Sequence, residues 1–412
     1  MWFNEPKQAW IGLGVLWIVG FIGALMRFIM AFFQTRISED LGIGRGFISM
    51  AWSTNLLIAA LCAPLGGWLA DRYGPKNVLL ASSVLGAAGT GIVAFGHQEI
   101  VFFLGYGVVC GFAGIGTTTV YLLLFDWFRH HRAKATGLLA SASSLGLAVC
   151  TPIFVSASGL TWKDAFLASF ALGIVVALPV IYWGIREPQP RAEAAGAAAT
   201  EEPEEAESRI GQQTAGSRLR ANAAFLPLFL IVAGSLFACG FNMGTVEMNL
   251  VAIHQLANVP PGMIALSMSV LGIMEIAGSL LMGYLLDRIH KLVMMTVLYG
   301  IRILGFSLLY LHLGWSPVLF AVAFGATYLS TVPGGLLVVK QYFQGHGKQT
   351  GWLLLFHQAG GILGAFVGGV SFDYYRDYQV LIGVDVLMCA LAALGYFYLY
   401  ATRKRGLRLR LA

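Results

Sequence analysis

Four charged residues stand inside long apolar runs: Arg27, Glu247, Glu275 and Arg302. In hydrocarbon such groups are expensive, about 3 kcal/mol for a central arginine even on the lenient insertion scale. Residues kept at that cost pair with one another or face a water-filled cavity. A guanidinium holds a carboxylate through two parallel N–H bonds. Arg27 and Arg302 are therefore candidates for gripping an anion. A carboxyl or an imidazole takes up and returns a proton, which makes Glu247, Glu275 and His357 candidate proton carriers. Two arginines and two glutamates also permit two purely structural ion pairs, and the sequence does not assign partners.

Other polar groups share these runs. Tyr121, Asn249, Tyr328, His357 and Gln358 can all hydrogen-bond a small molecule and join the two arginines as candidate binding residues. Gly20, Gly23 and Ala24 share the helical face of Arg27, so that face packs closely and turns Arg27 inward. Arg302 lies ten residues past a helix start near Leu292, about 15 Å deep at 1.5 Å per residue. It is the stronger of the two arginine candidates, being nearer mid-membrane in the half that holds Glu275 and His357. Asp385 falls within two turns of a membrane surface and reads as a group reaching the headgroups or pairing with Arg376.

The elements that must position these groups are membrane helices. The chain has 412 residues, of which 58% are hydrophobic and 11% charged. A soluble domain carries about 25% charged residues. About twelve apolar runs are each long enough to cross a ~30 Å hydrocarbon core. They cover roughly 10–33, 46–70, 77–96, 100–125, 135–158, 164–185, 222–246, 262–286, 292–313, 316–340, 350–372 and 379–401. The runs are continuous rather than alternating, so they are helices and not barrel strands. The first run is too long and lacks a small-residue cleavage site for a removable signal peptide.

Basic residues cluster on one side of the predicted topology. Lys7, Arg72, Lys76, Arg129, Arg132, Lys134, Arg288 and the tail Arg403–Arg410 share it, and the other side holds Arg36, Arg45, Lys163 and Arg376. Both termini are therefore expected in the cytoplasm, with the chain crossing the cell inner (cytoplasmic) membrane. The net charge of +6 reflects this placement and not a nucleic-acid partner. Cys62, Cys110, Cys150, Cys239 and Cys389 all lie within apolar runs and read as small buried hydrophobes. No phosphate-binding loop, His-Glu-x-x-His, metal-spaced Cys/His set or nucleophile elbow occurs. The expectation is a monomer in the bilayer that is not an enzyme, uses no cofactor or metal, and is not driven directly by ATP.

Residues 186–221 are Ala-, Glu- and Pro-rich and cannot bury apolar area, so they read as a disordered linker. They separate a six-helix unit at 1–185 from another at 222–412. The two units share punctuation. Gly66-Gly67-Trp-Leu-Ala-Asp71-Arg72-Tyr-Gly74-Pro-Lys76 turns the chain between the second and third runs. The second unit repeats it as Gly283-Tyr-Leu-Leu-Asp287-Arg288, with Gly46 falling on Gly262 and Arg27 on Met243. Such a repeat predicts two similar bundles.

These motifs resemble those of the major facilitator superfamily, and the resemblance spans nearly the whole chain. Gly67-x-x-x-Asp71-Arg72-x-Gly74-x-Lys76 carries it. So do Arg27-Phe-Ile-Met-Ala-Phe-Phe, Trp127-Phe-Arg-His-His-Arg132-Ala-x-Ala-x-Gly137, Leu160-Thr-Trp162-Lys-Asp-Ala-Phe166 and Phe356-His357-Gln358-x-Gly360-Gly361, which are similar to the monocarboxylate-porter-like and oxalate/formate-antiporter-like branch. The resemblance implies an all-α fold of twelve transmembrane helices in two bundles. It implies a secondary transporter of a small organic anion or similar metabolite, proton-coupled, working by alternating access. It also implies gating roles for Gly67, Asp71, Arg72, Asp287 and Arg288. One departure stands out: the helix-8 arginine typical of monocarboxylate carriers is replaced by Gly278-Ser279, with Glu275 one turn earlier. This favours, as an alternative, a proton-driven exporter of a drug-like or siderophore-like molecule. A non-transporting membrane sensor would need a soluble domain that the tail at Arg403–Ala412 does not supply.

Overall fold

A computed structural model of the chain describes residues 5–128, 131–157, 159–185, 215–342 and 347–411; within these, the side chains of 132–134, 215–226, 287, 340–342, 347–350 and 403–411 are not described. Among the described residues, twelve helices are long and apolar enough to span a bilayer. They are α1 Lys7–Leu41, α2 Arg45–Tyr73, α3 Pro75–Phe95, α4 Glu99–Trp127, α5 Ala135–Ser156 and α6 Trp162–Gly184. The second set is α7 Pro227–Leu256, α8 Pro261–Leu286, α9 Lys291–Leu311, α10 Ser316–Val339, α11 Gly351–Tyr375 and α12 Gln379–Thr402. Residues 186–214 of the expected linker lie outside the described residues, whereas 215–221 are helical and run directly into α7.

Local chemistry explains the ends and breaks of these helices. Between α2 and α3 the chain reverses on one residue: Gly74 takes φ 85° and Pro75 opens α3. A side chain at Gly74 would be strained, and proline at the first helical position sacrifices no hydrogen bond. α6 begins with a reciprocal cap, in which Thr161 Oγ1 accepts from the Asp164 N–H at 3.2 Å and Asp164 accepts from the Thr161 N–H at 3.1 Å. α4 widens into a π-helical segment at Phe103–Val109. Asn55 of α2 donates to the Tyr106 carbonyl there at 2.8 Å. α10 breaks after Tyr328 and resumes at Thr331. Pro333 lacks the N–H that would bond back to the residue 329 carbonyl, so one helical hydrogen bond is missing at this break.

The helices form two bundles. In the first, α1 packs on α5 and α6, α2 on α4, and α3 on α6; in the second, α7 packs on α11 and α12, α8 on α10, and α9 on α10 and α12. The bundles meet along α2 with α11, α5 with α8, and α1 with α7. Asp385 departs from the sequence expectation. It is fully buried, and it accepts from Asn242 Nδ2 at 2.7 Å, so it ties α12 to α7 instead of reaching the headgroups. The five cysteines are all free and buried.

Two faces can be distinguished: the basic face, with the α2–α3 turn, and the opposite face. The hydrogen bonds that join the bundles concentrate toward the opposite face. Asp373, at the end of α11, accepts from the backbone N–H groups of Arg45 at 2.9 Å and Gly46 at 2.7 Å. These are unsatisfied donors of the first turn of α2, so the carboxylate caps a helix belonging to the other bundle. A Cβ at Gly46 would sit 2.8 Å from Asp373 Oδ2, so glycine is what admits the cap. The Arg45 guanidinium lies 3.6 Å from the centre of the Phe372 ring and donates to Tyr378 Oη at 2.9 Å. Thr35 Oγ1 donates to Gln255 Oε1 at 3.0 Å between α1 and α7. Nearer mid-membrane, Ser53 Oγ donates to the Ile362 carbonyl at 2.8 Å.

Candidate functional site

Six helices, three from each bundle, enclose a cavity of about 260 Å³. α1 contributes Arg27 and Phe28, α2 Trp52, and α5 Ala140, Ser143, Ser144 and Leu147. From the other bundle come Met243, Val246 and Glu247 of α7, Met268, Leu271 and Glu275 of α8, and Tyr328 and Leu329 at the break in α10. The wall is mostly apolar, with a few convergent polar groups, which is the usual make-up of a small-molecule site.

Three of the polar groups, Arg27, Glu247 and Tyr328, form one connected line. Arg27 Nη1 stands 4.0 Å from Glu247 Oε2, with about a third of each side chain exposed (34% and 29%). The Tyr328 hydroxyl donates a short hydrogen bond to Glu247 Oε1. Glu275 is 6% exposed in the same wall. One guanidinium and two carboxyls therefore share the cavity. The indole N–H of Trp52 is buried and has no hydrogen-bond partner.

Arg302, the stronger arginine candidate on sequence grounds, does not line this cavity. It is fully buried within the second bundle. Its Nε donates to Thr327 Oγ1 at 3.2 Å, and its Nη2 donates to the carbonyls of Thr327 at 3.1 Å and Tyr328 at 3.5 Å. The break in α10 frees these carbonyls, and a cation at a helix C-terminus satisfies both their hydrogen bonds and their dipole. Depth alone suggested exposure to a ligand; the broken helix supplies the partner instead. Arg302 touches the backbone of Tyr328, whose hydroxyl holds Glu247, so it stands one residue behind the cavity.

The remaining candidates divide. Tyr328, Glu247, Glu275 and Arg27 come together. Asn249 is buried toward the opposite face, where Gln34 Nε2 donates to its Oδ1 at 3.4 Å. His357 is half-buried with Nε2 unpartnered, and neither it nor the exposed Gln358 lines the cavity. Tyr121 is 39% exposed and lies tilted against Phe125, 6.2 Å between ring centres. At the basic face Asp71 and Arg72 are exposed beside the half-buried Gly67. Arg72 lies over the rings of Trp68 and Tyr73, and Arg288 over Tyr284 at 4.2 Å, an arrangement suited to a membrane surface. The side chain of Asp287 lies outside the described residues. Sequence reasoning missed Phe28 and Trp52, whereas Ser143 and Ser144 belong to the helix-5 serines whose run suits tight packing or a cavity wall. Phe28 and Trp52 carry no charge signal, and the spacing that gathers them is set by packing between helices.

Comparison with known proteins agrees with this architecture. A family model described as Major Facilitator Superfamily matches residues 16–329 and again 258–411. The chain is similar to a Bacillus subtilis (strain 168) protein named Uncharacterized MFS-type transporter YcxA, at 25% identity over 95% of each chain. It is also similar to monocarboxylate transporter 4 of Rattus norvegicus, at 24% identity over 98% of this chain and 86% of the rat protein. Among solved structures, the nucleoside transporter NupG matches with a TM-score of 0.72 over 94% of this chain and 99% of its own, at 17% identity, a likeness of fold alone.

Proposed function

The chain belongs to the major facilitator superfamily of membrane transporters, and from that premise we propose that it is a secondary transporter of a small organic anion or a metabolite bearing a carboxylate. The single observation that carries this reading is the position of Arg27, a partly exposed guanidinium in an otherwise largely apolar cavity between the bundles. Full-length similarity to a protein named as a monocarboxylate transporter supports it. The cargo's carboxylate is held by Arg27, and its apolar body rests on Phe28, Met243, Met268 and Leu271. We place a coupling proton on Glu275, whose deep position makes a lone negative charge expensive. Alternating access then means rocking of one bundle on the other about this site, with Asp373 and the α2 end parting when the opposite face opens. The basic face is read as cytoplasmic.

A cavity of about 260 Å³ suits a small cargo and lies near the low end of the ~300–1,000 Å³ typical of small-molecule sites. The test is a thermal-shift screen of the purified protein against small carboxylates, neutral sugars and nucleosides, and bulky organic cations, since a ligand stabilises the state that it binds. Stabilisation by members of the carboxylate set supports the proposal. Stabilisation confined to the neutral or cationic sets overturns it.

A further inference from the structure

The charges of the cavity narrow the cargo further, and this step rests on the reading just given. Arg27 does not wait in the cavity as a lone cation: Glu247 stands 4.0 Å away, and both side chains keep exposed surface (34% and 29%). Tyr328 occupies only Oε1 of Glu247, and it is Oε2 that faces Arg27. The site thus presents a positive and a negative group side by side at one spot on an apolar wall.

A bare carboxylate fits such a site poorly. Seated on Arg27, it would stand as a second carboxylate beside Glu247, with a single guanidinium to balance the two even when Glu275 carries a proton. Like charges close together in a low-dielectric site repel strongly, so that pose requires a further proton on Glu247. A cargo that brings its own cation avoids this. Its carboxylate meets Arg27 and its ammonium meets Glu247, so the charge pair of the wall and that of the ligand lie antiparallel. Binding then leaves the net charge of the cavity unchanged, and each buried charge keeps a partner. The remaining wall is aliphatic and aromatic, contributed by Phe28, Leu147, Met243, Val246, Met268 and Leu271.

We infer that the cargo is a small zwitterion with adjacent ammonium and carboxylate groups on an apolar body, in the manner of an apolar 2-amino acid, with Glu247 as the ammonium receptor. Glu247 is then a specificity-determining residue: it separates amino acids from the corresponding simple acids.

The experiment compares matched sets on the full-length purified protein. Leucine, methionine and phenylalanine are each titrated beside the acid lacking the amino group and the amine lacking the carboxylate. The inference expects at least one amino acid to bind about tenfold or more tighter than both of its truncated relatives, since each relative leaves one wall charge unpaired. In Glu247→Gln, checked for monodispersity, that preference should collapse and the simple acid should gain. Simple acids that bind as tightly as their amino acids overturn this inference and leave the organic-anion reading standing. Binding by the amines alone overturns both, and binding by no member of the sets overturns this inference and leaves the organic-anion reading to the carboxylate screen. The wild-type comparison decides the matter even if the variant does not fold.

Discussion

Arg27 Nη1 of the first bundle and Glu247 Oε2 of the second lie 4.0 Å apart in the wall of the cavity between the bundles. The two residues come from helices of different bundles, so movement of one bundle against the other changes their separation. Both are about a third exposed, and ion pairs of that kind contribute only about 0–1 kcal/mol. Replacing the whole pair with Arg27→Met and Glu247→Met removes both charges and both desolvation costs. The double variant should therefore melt within a few degrees of wild type while losing ligand binding. A collapse in melting temperature would make the pair a structural element of the fold.

Arg302 should behave in the opposite way. It is fully buried and satisfies carbonyls freed where α10 breaks. Arg302→Met removes the side-chain donor of the Tyr328 carbonyl and leaves the Thr327 carbonyl with Thr331 Oγ1 alone, and should destabilise the protein by about 2–5 kcal/mol. Arg302→Lys should rescue only in part, because an ammonium lacks the planar fork. By contrast, Tyr328→Phe removes one bond to Glu247 and should weaken binding about tenfold with a near-normal melt. Thermal melts and titrations of the three variants check the split. An Arg302→Met protein of wild-type stability would refute the capping role.

The cap of α2 by Asp373 should bias the bundles toward closure at the opposite face. Asp373→Ala removes the acceptor of two backbone N–H groups. Bonds of this charge-assisted kind are worth about 1.5–3 kcal/mol each, enough to shift a two-state population more than tenfold. A cysteine introduced as Met243→Cys in the cavity wall should then be alkylated faster by an impermeant reagent added at the opposite face. Unchanged labelling would reduce the contact to a simple helix cap.

Orientation rests on the distribution of arginine and lysine. Cysteines introduced at Gln212 and at Ala412 should label only from the cytoplasmic side of inside-out vesicles. Labelling of either in intact cells would invert the assignment of faces.

The helices were legible because hydrocarbon thickness imposes a length on every apolar run, and ends such as Gly74-Pro75 carry their own turn chemistry. Arg27, Glu247, Glu275 and Tyr328 stood out as polar groups in apolar surroundings, and packing places them in one cavity wall. What remained hidden depends on which faces of distant helices meet. Asp385 looked close enough to the surface to be hydrated, yet its face packs on Asn242. Asp373 and Gly46 gave no pairing signal, since their contact exists only once α11 lies along α2. Arg302 stands out as buried charge, but its partners are the Thr327 and Tyr328 carbonyls at the break in α10, and that pairing exists only once α9 lies against α10.

Ligand titration of Arg27 variants tests the account's central claim most directly. The tightest ligand from the carboxylate-bearing sets is titrated into wild type, Arg27→Gln and Arg27→Lys, each first shown to be monodisperse and to melt near the wild-type temperature. The account predicts that Arg27→Gln loses affinity by about 30-fold or more, the cost of leaving a desolvated carboxylate unpaired. Arg27→Lys should recover only part of that loss, because it keeps the charge without the fork. Wild-type affinity in a well-folded Arg27→Gln protein would contradict the account and remove Arg27 from the binding site.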